Sequence, residues 1–168
     1  MFKKGDLIMY SVHGICKIDD ICEKTISYVR KNYYILHPIS DNKLSISIPV
    51  DNDKVTMLEL LNKEEAEEVL ESFKRPGAEW IESDRERGLV YGEIMKSGNR
   101  KEIIKVVNTL MKEKINIEKE GKKFHEKDKK LLTDIQTNLF SELAFSLNTT
   151  SDEIAKKVNN YIKKEKVS

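Results

Sequence analysis

The 168-residue chain predicts an α+β protein, with a small five-stranded β-barrel over residues 1–58 and an all-α bundle over residues 59–168. Two patterns carry this reading. Up to residue 58, short apolar runs alternate with turn signals at Gly5-Asp6, His13-Gly14 and Ser40-Asp41-Asn42-Lys43. Beyond it, apolar residues recur three and four positions apart, the spacing of amphipathic helices. Five short strands so close together suggest a twisted barrel, because closure limits exposed edges.

The strands come first. Gly5-Asp6 turns into Leu7–Tyr10, and His13-Gly14 opens a longer strand from Ile15 to Cys22. Strict alternation there puts Cys16, Ile18, Asp20 and Cys22 on one face. Tyr33–Leu36 is rich in strand formers. Leu44-Ser45-Ile46-Ser47-Ile48 alternates without a fault until Pro49, which stops it. A short strand from Val55 to Met57 completes the five.

The helices follow. Asn62 with Glu65 forms a capping box ahead of a helix from Lys63 to Phe73. Arg75-Pro76-Gly77 breaks it, and a second helix is expected from Trp80 to Lys96. Ser97-Gly98-Asn99 separates that helix from a third, Arg100 to Ile117, with an apolar stripe at Ile103, Val106, Val107, Leu110 and Met111. A charged connection runs from Glu118 to Asp128, and a fourth helix from Lys129 to Leu147. Thr150 with Glu153 caps the last, which buries Ile154, Val158 and Ile162.

Composition narrows the function. Charged residues make up 35% and balance to +1, while 39% are hydrophobic, so the chain is globular with a heavily solvated surface. No apolar run approaches the ~20 residues of a membrane span, and no apolar stretch follows the two N-terminal lysines, so a cytoplasmic location is expected. Three scattered histidines and two cysteines give no metal-ligand spacing. No phosphate loop or nucleophile motif is present, so no catalytic residue, metal or cofactor is expected. Cys16 and Cys22 read as small buried hydrophobes, His13 as a turn residue. The charge is uneven along the chain: residues 96–130 carry 12 Lys/Arg against 6 Asp/Glu. Lys101, Lys105, Lys122, Lys123, Lys127 and Lys130 are the candidates for phosphate contact, against the plain alternative of a solvated face interleaved with glutamates.

Phe2–Tyr10, His13-Gly14-Ile15, Tyr33–Leu36 and Leu44–Pro49, then Ser97-Gly98-Asn99, Val106–Leu110 and Ser141-Glu142-Leu143-Ala144, taken in this order, resemble the CarD/CdnL family of bacterial transcription regulators. The first group is similar to the RNA-polymerase-interacting domain that the transcription-repair coupling factor also carries. The resemblance implies a Tudor-like barrel that docks on the polymerase β subunit, and a helical domain that contacts promoter DNA with weak sequence specificity. Together these would modulate the stability of the open promoter complex, in a nucleoid-associated protein expected to be a monomer.

The resemblance also assigns residues. Polymerase contact falls on Lys24, Ser45, Ile46 and Ser47; Ser47 stands where the family often has a base. DNA contact falls on Trp80, Arg85, Arg87 and Arg100, beside the lysines above. Two roles fit Trp80, a wedge at the edge of melted DNA or a packing residue at a helix start. Glu79, Glu82 and Asp84 around it would repel phosphate. The alternative for the whole chain is a polymerase-bound adaptor whose helices touch another protein instead of DNA.

Overall fold

The computed structural model describes residues 1–10, 13–53 and 57–167, with side chains through residue 163. The chain divides into two compact units, Met1–Leu60 and Leu61–Ser168. Among the described residues no helix is long and apolar enough to cross a membrane.

The first unit is an antiparallel sheet of β1 (Leu7–Tyr10), β2 (Gly14–Ile26), β3 (Val29–Pro38), β4 (Ile46–Pro49) and β5 (Met57–Glu59), in the order β4-β3-β2-β1-β5. It does not close into the expected barrel. Among the described residues β4 and β5 are its two edges, and at four and three residues they are too short to form a closing ladder of any length. The Val55 end of the expected fifth strand lies outside the described residues. The core is Ile8, Tyr10, Cys16, Ile18, Tyr34, Leu36 and Ile48.

Two features of β2 depart from the sequence reading. The strand runs on to Ile26, because Ser27 and Tyr28 both take positive φ (51° and 64°) and Ile26 pairs with Val29. Two left-handed residues in succession make the tight turn whose twist suits a hairpin. No Gly or Asn-Gly marks it, so local sequence does not announce it. The register also slips between Ile18 and Asp20, leaving Asp19 as an extra residue. A one-residue bulge exchanges the two faces beyond it. Ile21 therefore turns to the core opposite Tyr34, while Cys22 turns away and is half-buried. Cys16 and Cys22 do not share a face. Cys16 is fully buried, and burial pushes its thiol up to about 11.

The second unit holds five helices: α1 (Lys63–Ser72), α2 (Asp84–Ser97), α3 (Arg100–Lys119), α4 (Glu126–Ser146) and α5 (Ser151–Val167). The capping box at Asn62 and Glu65 is complete in both directions, and the Thr150 hydroxyl accepts the Glu153 amide at the start of α5. Gly98 closes α2 with φ 69°, a left-handed cap. Val106, Val107, Leu110, Leu143, Ile154, Val158 and Ile162 lie at the centre of the core.

α2 begins at Asp84, capped by Ser83, four residues later than expected. The carbonyls before it are engaged elsewhere. Ala78 O accepts from the Thr109 hydroxyl at 2.8 Å, Glu79 O from the Tyr91 hydroxyl at 2.9 Å, and Ile81 O from Arg87 Nη1 at 2.8 Å. A backbone whose acceptors are satisfied by side chains has no need of a helical ladder. Gly77 lets this segment approach α3, since a Cβ there would lie 2.4 Å from Thr109 Oγ1 and 2.9 Å from Lys105 O.

Candidate functional site

Among the described residues, β4 is paired on one side only. Val50 N donates to Asn32 O at 3.0 Å, and β4 continues in register with Tyr34↔Ile48 and Leu36↔Ile46. Backbone groups alternate sides along an antiparallel strand. Val50, Ile48 and Ile46 therefore bond inward to β3, which directs the Ser47 amide and carbonyl outward. Pro49, the next outward position, has no N–H. Ser47 thus carries the one outward amide within β4. Its hydroxyl accepts a hydrogen bond from Lys24 Nζ on β2 at 3.0 Å, so two of the residues implied in docking meet on one exposed face. Ile46 is half-buried, and Ser45 is exposed just ahead of the strand.

The helical unit is organised around a buried arginine. Arg87, expected at the DNA surface, lies inside with a side chain only 3% exposed. Its Nε donates to both oxygens of Asp128 at 3.1 Å, and its Nη2 donates to Asp84 Oδ1 at 2.5 Å and to Asp128 Oδ2. Burial pulls the guanidinium pKa down, but the Asp128 and Asp84 hydrogen bonds outweigh it and the net direction is up. The Arg87 hydrogen bond, aided by the nearby His125 and Arg87 charges, holds Asp84 below the usual carboxylate range. Asp84 is therefore a partner of Arg87, not an isolated charge opposing phosphate.

Trp80 is partly buried against the helical core, in the segment before α2 and not within a helix as expected. The Arg87 guanidinium carbon lies 4.3 Å from its ring centroid, a cation–π stack that fixes the indole. His125 stands 3.7 Å from Asp84 and 3.8 Å from Asp128, and these three groups are close enough to share a cation. The Arg87 guanidinium already bonds both carboxylates.

The structure separates the basic residues into two groups. Lys122 and Lys123 precede α4, and Lys127 and Lys130 flank Asp128 on its first turns; all four are exposed, and Asp128 ties that end of α4 to Arg87 and Trp80. Arg85 is exposed on α2, two residues from Arg87. Arg100, Lys101 and Lys105 belong to the first half of α3, about 21–28 Å along the helix from its far end at 1.5 Å per residue. Arg100 is an internal partner: Nη2 donates to Glu142 Oε2 at 2.8 Å and Nη1 to Oε1. Glu142 is 1% exposed and also accepts the Leu61 amide at 3.2 Å. Lys105 pairs with Glu102 at the surface.

Sequence reasoning did not single out Asp128, Glu142 or His125 for these roles. Asp84 stood one helical turn before Arg87 and was a legible partner. Asp128 lies 41 residues from Arg87, and Glu142 lies 42 from Arg100. No local spacing signals pairs at that separation.

A sheet with an open edge, followed by a helical unit bearing a stacked indole and exposed lysines, defines a two-module binding protein. The family comparisons give the class a name. The CarD-like/TRCF RID domain matches residues 2–60, and the CarD C-terminal domain matches residues 59–159. The chain belongs to the CarD family and is an RNA-polymerase-interacting transcription factor.

Proposed function

We propose that the sheet unit docks on the polymerase β subunit by strand addition at β4, and that the helical unit holds promoter DNA and lengthens the life of the open complex. The outward Ser47 amide, on an edge unpaired among the described residues, is the observation that carries the docking half. Strand addition draws affinity from backbone hydrogen bonds, so serine in place of a base costs steering more than pairing. Lys24 supplies positive charge beside the same edge.

On the helical unit, the DNA face comprises Trp80, Arg85, Lys122, Lys123, Lys127 and Lys130, with Arg87 as the support that holds the indole. Mechanism follows from linkage. A protein that binds the open complex more tightly than the closed one shifts the equilibrium by that difference, and about 1.4 kcal/mol is tenfold.

Ser47→Pro in the full chain tests docking. Proline at an outward edge position keeps the inward ladder but removes the outward donor. Retention on purified β subunit should fall by about tenfold with the far-UV spectrum unchanged; undiminished retention would refute strand addition at this edge. Trp80→Ala tests the DNA half. It should shorten open-complex lifetime, by an amount set by about 1–3 kcal/mol of lost stacking, while β-subunit retention stays the same. An unchanged lifetime would return Trp80 to packing alone.

A further inference from the structure

One feature of the helical unit is used by neither docking nor DNA contact. A groove of about 420 Å³ lies between α1 and the first half of α3. Leu61, Val69, Pro76 and Ile104 give it an apolar surface. Its two walls carry opposite charge. Glu65 and Glu68 line it from α1, while Lys101 and Lys105 line it from α3. These residues recur at helical spacing, so each wall is one continuous helix face.

Asn108 also lines the groove and is 1% exposed. Its Nδ2 donates to Arg75 O at 2.8 Å, but its Oδ1 is buried with no hydrogen-bond partner among the described residues. A buried acceptor left unmatched is destabilising, and native interiors hold few of them. An apolar cleft of this size with a convergent polar group is the usual form of a ligand site.

We infer that this groove is a peptide-binding site, taking a short protein segment that presents an apolar side chain between a basic and an acidic residue. The base faces the α1 glutamates, the acid faces the α3 lysines, the apolar side chain fills the cleft, and a donor of the segment satisfies Asn108 Oδ1. Arg75 and Arg100 also line the groove, Arg100 being held by Glu142, but Glu65 and Glu68 on the α1 wall oppose phosphate and suit a base. The assignment removes Lys101 and Lys105 from the DNA face.

The test is nuclear magnetic resonance on the full chain without polymerase, with peptides and duplex DNA added in separate titrations, so its outcome is independent of the docking and DNA readings. Capped Arg-Leu-Glu should move the Val69 and Ile104 methyl resonances and the Asn108 side-chain amide at millimolar concentration. Capped Arg-Gly-Glu should bind about tenfold more weakly or worse, having no side chain to bury. Glu68→Lys, an exposed change that leaves the fold intact, should weaken the leucine peptide about two- to fivefold. Absence of any movement at these three residues overturns the proposal, as does an equal response to the glycine peptide. An equal response to leucinamide makes the groove a small-molecule site instead, and movement caused by duplex DNA alone makes it part of the nucleic-acid surface.

Discussion

The two units keep charge in different places. In the sheet unit, every buried residue among those described is apolar, a tyrosine or a cysteine. Among the described residues its ion pairs, Arg30–Glu23 and Lys31–Asp51, and the His37–Asp19 hydrogen bond lie at the surface or close to it. The helical unit buries Arg87, Asp128 and Glu142. A buried charge is tolerated only with a well-placed partner, whereas a surface pair contributes little. The sheet unit therefore presents backbone and tolerates side-chain change, while the helical unit depends on particular side chains to shape the loop that carries Trp80.

That contrast can be broken by mutation. Arg87→Ala should have the largest effect, because it leaves Asp128 buried without its partner. A loss of about 3–5 kcal/mol is expected, read from urea unfolding followed by the single tryptophan. A loss below 1 kcal/mol would mean that the arginine is dispensable to the fold. Glu142→Ala comes next. Arg100 retains a 22% exposed side chain that water can reach, but the Leu61 amide loses its acceptor. The expected loss is about 1–3 kcal/mol, again by urea unfolding.

On the sheet side, Lys24→Ala should alter stability by no more than about 0.5 kcal/mol, since its bond to Ser47 is exposed. A slower association with the β subunit is the expected consequence, and a destabilised sheet would break the comparison. The smallest effect concerns acid. Asp84 has its pKa lowered from the ordinary 3.8, so its contribution is complete at neutral pH and disappears as pH falls below that value through the lowered one. Trp80 emission should shift in that acid range as the stack loosens. Asp84→Asn should remove that part of the transition.

The register of β2 shows how far local pattern reaches. Alternation over Ile15–Cys22 placed the strand and its core residues Cys16 and Ile18. It could not show the extra residue at Asp19, because a bulge is imposed by the partner strand and leaves no mark in a single alternating run. The extension to the Ser27-Tyr28 turn was hidden for a related reason. Residues 23–32 are exposed on both faces, so they carry no burial alternation to read. In the helical unit the apolar stripes and the caps at Asn62 and Thr150 were legible, since both depend on residues three or four apart. The late start of α2 was not, because long-range acceptors decide it.

What the sequence determined alone is the α+β order, the two strongest caps, the apolar faces and the concentration of lysines between residues 96 and 130. Each rests on neighbours within a turn of helix or a step of strand, where propensity and periodicity act. Tertiary structure decided that the sheet stays open at β4, that Ser47 points its amide outward and that Arg87 supports Trp80 from inside. Those outcomes depend on which strand finds which partner and which carboxylate reaches which guanidinium across some forty residues, and only packing in three dimensions selects among such pairings.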